Sequence, residues 1–320
     1  MRFGYHNASF DYPGDGNPLE ATVDAAKRYE AAGFELFTCM DHLWQLPFVG
    51  ERDDPFFDCY TVLPAVARET EQLEVSALVT SPHYRNPAML GRILTTLDHV
   101  SGGRAVLGIG AGWFEEEYRA YGFEFPDVST RVRQLVDTVR LVRAMWTEES
   151  PLSYSGEHHE IEDLYLEPKP IQDPHPDVMI GGGGEQLTLK AVAEEADRWN
   201  VPGVDPETFA HKCEVLADHC ETFGTDYDDI EKTVFQTAVI RETTEAAHEA
   251  YERIVREGTA AGDPTPRDEY RGLVGTPAEV AETVEAFEER GAEMLMVRGQ
   301  QNDPETVDYL TDEIVPDLAG

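Results

Sequence analysis

The chain is poor in cysteine and in positive charge, and it has no long apolar run. Its four cysteines (Cys39, Cys59, Cys213 and Cys220) are scattered through 320 residues without a CxxC pair. That excludes a disulfide framework and gives no metal-ligand spacing, so the cysteines read as small buried hydrophobes. No stretch reaches the roughly 18 consecutive apolar residues of a membrane span. Met1–His6 enters a strand-like pattern at once, with no signal-peptide profile. The expectation is a soluble, cytoplasmic chain with no membrane partner. Lysine and arginine number 25 against 63 acids, a net charge of −38, and only five of the cations are lysines. Nucleic acid is a poor partner for such a field. The deficit runs along the whole length, which suits a halophilic cytoplasm, where repulsion is screened within about 3 Å at 1 M salt. An acidic protein from ordinary salinity is the alternative.

What is present is a regular alternation of strand and helix periods. Short apolar runs that read as buried parallel strands are 2–6, 34–40, 73–80, 105–110, 177–181, 198–201, 234–240 and 293–298. Amphipathic stretches of helical period lie between them, at 19–32, 60–70, 87–100, 130–146, 186–195, 206–223, 244–256 and 277–290. Eight such units predict a (β/α)8 barrel, one domain over residues 1–320. Gly33 and Gly291 read as helix C-caps, and Thr276-Pro277-Ala278-Glu279 as a capping box. Residues 151–172, Pro-rich and carrying His158-His159, fit neither period. They read as a rim insertion that covers the site.

Barrel enzymes work at the C-terminal ends of their strands, so the residues there are the candidates. The second strand ends in Asp41-His42, a carboxylate beside an imidazole whose tautomer and pKa it would set; a capping Asp and an exposed His are the plainer reading. Gly108, Gly110 and Gly112 on the fourth strand permit close approach of a flat ligand. Their spacing is not the dinucleotide fingerprint. The sharpest local signal is Ile180-Gly181-Gly182-Gly183-Gly184-Glu185-Gln186 between a strand and a helix, where converging N–H groups would hold a phosphate. No P-loop lysine follows, which excludes nucleotide hydrolysis of that type; a tight turn is the alternative. His6 ends the first strand inside the predicted site as a substrate contact. Glu116 and Glu117 are second acids or a face compensating the helix dipole, and His158 and His159 touch substrate or solvent.

Read in order, these pieces resemble the luciferase-like monooxygenase superfamily and, within it, the coenzyme F420-dependent oxidoreductases. The resemblance covers nearly the whole chain. It is carried by Gly33-Phe34-Glu35-Leu36-Phe37 with Asp41-His42, by Leu107–Trp113 with Glu117-Tyr118 and Tyr121-Gly122-Phe123, by Ile180–Glu185 with Ala196–Asn200, and by Gly275-Thr276-Pro277 with Gly291-Ala292. It implies a (β/α)8 barrel binding F420, with flavin mononucleotide (FMN) and oxygen chemistry as the alternative. It also implies a non-prolyl cis peptide at Ser76-Ala77 backing the tricycle, and a phosphate held by Gly181, Gly182, Gly183 and Gly184 with Glu185 and Gln186. Gly110 lies at the cofactor, His42 as proton carrier is oriented by Asp41, and Trp113 and Glu117 join His6 at a small-molecule substrate. No metal is implied, and homodimers are common in the family. The family's sugar-phosphate dehydrogenases carry an acid where this chain has Trp113, so glucose 6-phosphate is not the implied substrate. A non-catalytic, ligand-binding barrel is the remaining alternative.

Overall fold

The computed structural model describes every residue except 15, 259–264, 267–268, 300–302 and 320. In chain order the elements are β1 (Arg2–Asn7), α1 (Pro18–Ala32), β2 (Leu36–Cys39), α2 (Cys59–Glu69), β3 (Glu74–Ala77), α3 (Pro87–Ser101), β4 (Ala105–Gly110), α4 (Glu115–Tyr121), α5 (Val128–Thr147), β5 (Leu152–Ser155), β6 (Glu160–Leu164), β7 (Val178–Gly181), α6 (Thr188–Glu195), β8 (Arg198–Pro202), α7 (Pro206–Phe223), β9 (Glu231–Ile240), α8 (Thr244–Gly258), β10 (Leu273–Gly275), α9 (Pro277–Glu288), β11 (Met294–Arg298), α10 (Pro304–Tyr309) and α11 (Val315–Leu318). The strand order is β10-β9-β11-β1-β2-β3-β4-β7-β8, and β9 also pairs with β8. The eight expected parallel strands thus close into a (β/α)8 barrel, with β10 an addition beside β9.

The chain falls into two compact units. One comprises Met1–Leu73, Val201–His211 and Lys232–Gly320; the other, Glu74–Asn200 and Lys212–Glu231. In the first, β1 lies between β11 and β2 in parallel register, with Tyr5 beside Val297 and Phe37. Alternation along β1 sends Phe3 and Tyr5 to the helical layer, where Tyr5 stacks on Tyr29 with ring centroids 3.7 Å apart. Asn17 caps the start of α1, and Gly33, with φ of 98°, ends it in the left-handed conformation that a side chain would resist. Thr276 and Glu279 form the expected capping box of α9.

In the second unit β4 lies between β3 and β7, and β8 follows β7. Here α3 packs on α5 closely enough that a Cβ on Gly91 would meet Met145 Cε at 3.0 Å, and Trp146 Nε1 donates to Thr95 Oγ1. The insertion forms an antiparallel hairpin, β5 with β6. Its hairpin lies along α5, where Asp137 accepts from the Tyr154 hydroxyl and from the backbone N–H groups of His158 and His159. The segment that follows reaches the rim at which the strands begin: Lys169 donates to Met145 O, Ile171 N–H to Asp98, and Gln172 Nε2 to Ala105 O at the start of β4. A segment joining the end of a helix to the start of the next strand is tied to that rim by its own connectivity. Arg198 also lies at the start of its strand, bonded to Glu74, Asp177 and Glu231. Burial opposes its charge, but those carboxylates outweigh burial and raise its pKa.

Candidate active site

In the first unit the ends of β1, β2, β9 and β11 carry the polar residues. His6, beside Thr38 in the register of β1 and β2, places Nδ1 2.9 Å from Thr38 Oγ1. The single Thr38 proton goes to Tyr5 O, so the network assigns the Nδ1–H tautomer and leaves Nε2 as an acceptor. Phe235 meets the imidazole edge-on at 5.2 Å. Burial drives the His6 pKa down to about 3, with the charges of Arg298 and His42 adding to it. His6 is therefore neutral at any physiological pH. Asp41 is buried and His42 half-buried in the segment directly after β2. Arg298, the last residue of β11, is buried and donates from Nη2 to Thr237 Oγ1 at 3.1 Å. Burial lowers its pKa, against the nearby phenols of Tyr270 and Tyr5.

In the second unit the non-prolyl cis bond lies at Leu78–Val79 and not at Ser76-Ala77. The reason for the correction is positional: Ser76 and Ala77 are still inside β3, fully buried and paired toward β4, and the bond falls just beyond the strand. Val79 occupies the room that two glycines leave. A Cβ on Gly110 would meet Val79 Cγ2 at 2.7 Å, and one on Gly181 would meet Val79 Cγ1 at 2.9 Å.

Four carbonyls of the glycine turn are hydrogen-bonded within the unit. Gly182 O accepts from Trp199 Nε1 at 2.8 Å, Gly183 O from Lys212 Nζ at 2.7 Å, Gly184 O from Leu189 N–H, and Glu185 O from His219 Nε2 at 2.8 Å. In a planar trans peptide the N–H points opposite to the C=O. The N–H groups of Gly183, Gly184, Glu185 and Gln186 therefore each point away from the partner of the preceding carbonyl. Lys212, which also lies 3.3 Å from the Glu185 carboxylate, brings a cation to the same turn. Gln186 is exposed, and the helix starts later than its sequence pattern suggests, at Thr188.

Trp113 is exposed and lies against Phe114 with ring centroids 5.2 Å apart. The three glutamates at the start of α4 split by role. Glu115 pairs with Arg119, Glu116 is exposed, and Glu117 is fully buried and accepts the Tyr84 hydroxyl. Sequence reading missed the cluster beside them. Ser81 and Tyr118 share a hydrogen bond, His83 Nδ1 lies 3.1 Å from Ser81 Oγ, and His83 Nε2 lies 2.7 Å from Gln134 Oε1. Burial raises the Tyr118 pKa to about 12, opposed by the Ser81 bond, and lowers that of His83. A polar Ser-Pro-His-Tyr run straight after a strand was the signal available.

The family model for luciferase-like monooxygenases matches residues 1–294. The chain belongs to that family. Among curated members, the FMNH(2)-dependent dimethylsulfone monooxygenase of Pseudomonas putida is 24% identical over 316 residues, covering 90% of this chain and 84% of that one. The F420-dependent glucose-6-phosphate dehydrogenase of Microbacterium testaceum is 26% identical, covering 99% and 97%. Among solved structures, an F420-dependent secondary alcohol dehydrogenase bound to an F420-acetone adduct superposes with a TM-score of 0.82 at 19% identity, covering 97% of each chain. The luciferase-like barrel is thereby shown, and this member's relatives include both deazaflavin and flavin enzymes. No helix among the described residues is long and apolar enough to cross a membrane, and no group of metal-ligating side chains is found among them.

Proposed function

We propose that the protein is a coenzyme F420-dependent oxidoreductase that moves a hydride between the deazaflavin and a carbon of a small organic substrate. The observation that carries the reading is the glycine turn, with four carbonyls tied back and Lys212 beside them. It suits a coenzyme phosphate by charge and by geometry. Val79, seated over the backbones of Gly110 and Gly181, offers an apolar platform for a flat ring; Ser76 and Ala77 support that platform from inside β3. When bound, the coenzyme supplies the hydride chemistry.

The chain's own residues orient and protonate. His42, half-buried after β2, exchanges the proton that accompanies hydride transfer, and Asp41 holds its orientation. His6, kept neutral by burial, offers an acceptor nitrogen and no charge. Trp113 gives the substrate an aromatic face, while Glu117 fixes the Tyr84 hydroxyl from within. The homodimer and the halophilic cytoplasmic setting belong to the same proposal.

A second reading is an FMN-dependent monooxygenase, favoured by the similarity to the sulfone monooxygenase across 90% of the chain. Protein purified gently in molar KCl decides between them by its absorbance. A deazaflavin spectrum released on denaturation supports the proposal, and a flavin spectrum overturns it.

A further inference from the structure

Arg298 stands apart from the other buried arginines. In a chain with 63 acidic residues, Arg198 has three carboxylates and Arg241 has Asp303 and Glu305. Arg131 has two backbone carbonyls and the Phe125 ring. Arg298 is only 6% exposed; among the described residues its guanidinium donates to the Thr237 hydroxyl, and its Nε has no partner. A buried guanidinium with a hydroxyl but no carboxylate beside it among the described residues is costly, and retaining one where acids are so abundant calls for a ligand. It sits at the C-terminal end of β11, level with Thr237 of β9, the end of a barrel strand at which ligands bind. Nearby His6 and Tyr270 are neutral there, so neither cancels the positive charge that Arg298 brings.

We infer that Arg298 is the binding site for a carboxylate group on the substrate. This rests on the reading of the chain as an oxidoreductase acting on a small molecule, and it names the class of that molecule: a compound bearing a single carboxylate. The fork of guanidinium N–H groups matches two coplanar oxygens. One cation balances a monoanion and leaves a phosphate dianion under-compensated. The surrounding charge of −38 repels anions in general, so selection falls to this local contact.

The test is a titration of the whole protein with acetate, butyrate and hexanoate, with methanesulfonate and inorganic phosphate alongside, at constant ionic strength. Melting temperature and intrinsic fluorescence are read without coenzyme, and F420 binding is measured separately on the same samples. The expected result is saturable binding of at least one monocarboxylate, more than tenfold tighter than phosphate. Arg298→Gln should weaken it at least tenfold and melt at or above the wild-type temperature in carboxylate-free buffer, since it removes an uncompensated buried charge. Arg298→Lys, which keeps the charge and loses the fork, should give partial binding. The inference is overturned if carboxylates bind no better than phosphate, if Arg298→Gln binds them as the wild type does, or if both variants fail to fold. Carboxylate binding with no F420 binding would remove the coenzyme assignment alone; the reverse pattern would remove only this inference.

Discussion

His6 and His42 are neighbours in charge but not in environment, and the difference gives two predictions. His6 has its folded pKa depressed to about 3 from an ordinary 6.5, by burial first. The unfolded chain thus binds a proton that the folded chain refuses, and stability is lost as pH falls below 6.5, on the order of 1.4 kcal/mol per unit. His6→Gln should flatten the decline in unfolding free energy between pH 6.5 and 5; equal slopes for the two proteins would refute the assignment. His42→Ala should lower turnover by roughly 10² to 10⁴ while coenzyme affinity stays within a few-fold, as general acid-base help does, and near-normal turnover on an identified substrate would exclude His42 as proton carrier. At this scale the sequence was legible where chemistry was adjacent in the chain, as in Asp41-His42. It was not legible for Arg298, whose meaning lies in the acid that is missing beside it, or for His83, whose partners Tyr118 and Gln134 come from α4 and α5.

At the scale of elements, alternation fixed all eight barrel strands because each is a short apolar run between turns. The hairpin β5–β6 escaped that reading: its residues are mostly half-buried or exposed, and Asp137 on α5 accepts from its Tyr154 hydroxyl and from the N–H groups of His158 and His159. The cis bond was misplaced for a related reason, since strand β3 and the bend after it share one apolar run. The fit of Val79 over Gly110 and Gly181 makes a testable unit. Gly110→Ala puts a Cβ 2.7 Å from Val79 Cγ2 and should destabilise the protein by about 1–3 kcal/mol. Val79→Ala in the same chain should recover part of that loss, measured as a double-mutant cycle of urea unfolding. Strict additivity would mean that the two side chains do not compete for one space.

The whole molecule is governed by its charge. With a net −38, self-repulsion destabilises the compact state at low ionic strength and is screened in salt. Melting temperature should therefore rise steeply between dilute buffer and molar KCl; a flat or falling curve would remove the argument for a saline setting. The same field bears on the coenzyme, because F420 brings a phosphodiester and a glutamate tail to an anionic protein. In molar salt only local contacts remain, and on the proposed reading those are made by the turn after β7 with Lys212. The most direct test of the account is a fluorescence titration with F420 and with FMN in molar KCl. Micromolar or tighter binding of F420, with FMN at least about tenfold (1.4 kcal/mol) weaker, is the predicted result. Tighter binding of FMN would contradict it and assign the protein to the flavin-dependent branch of the family.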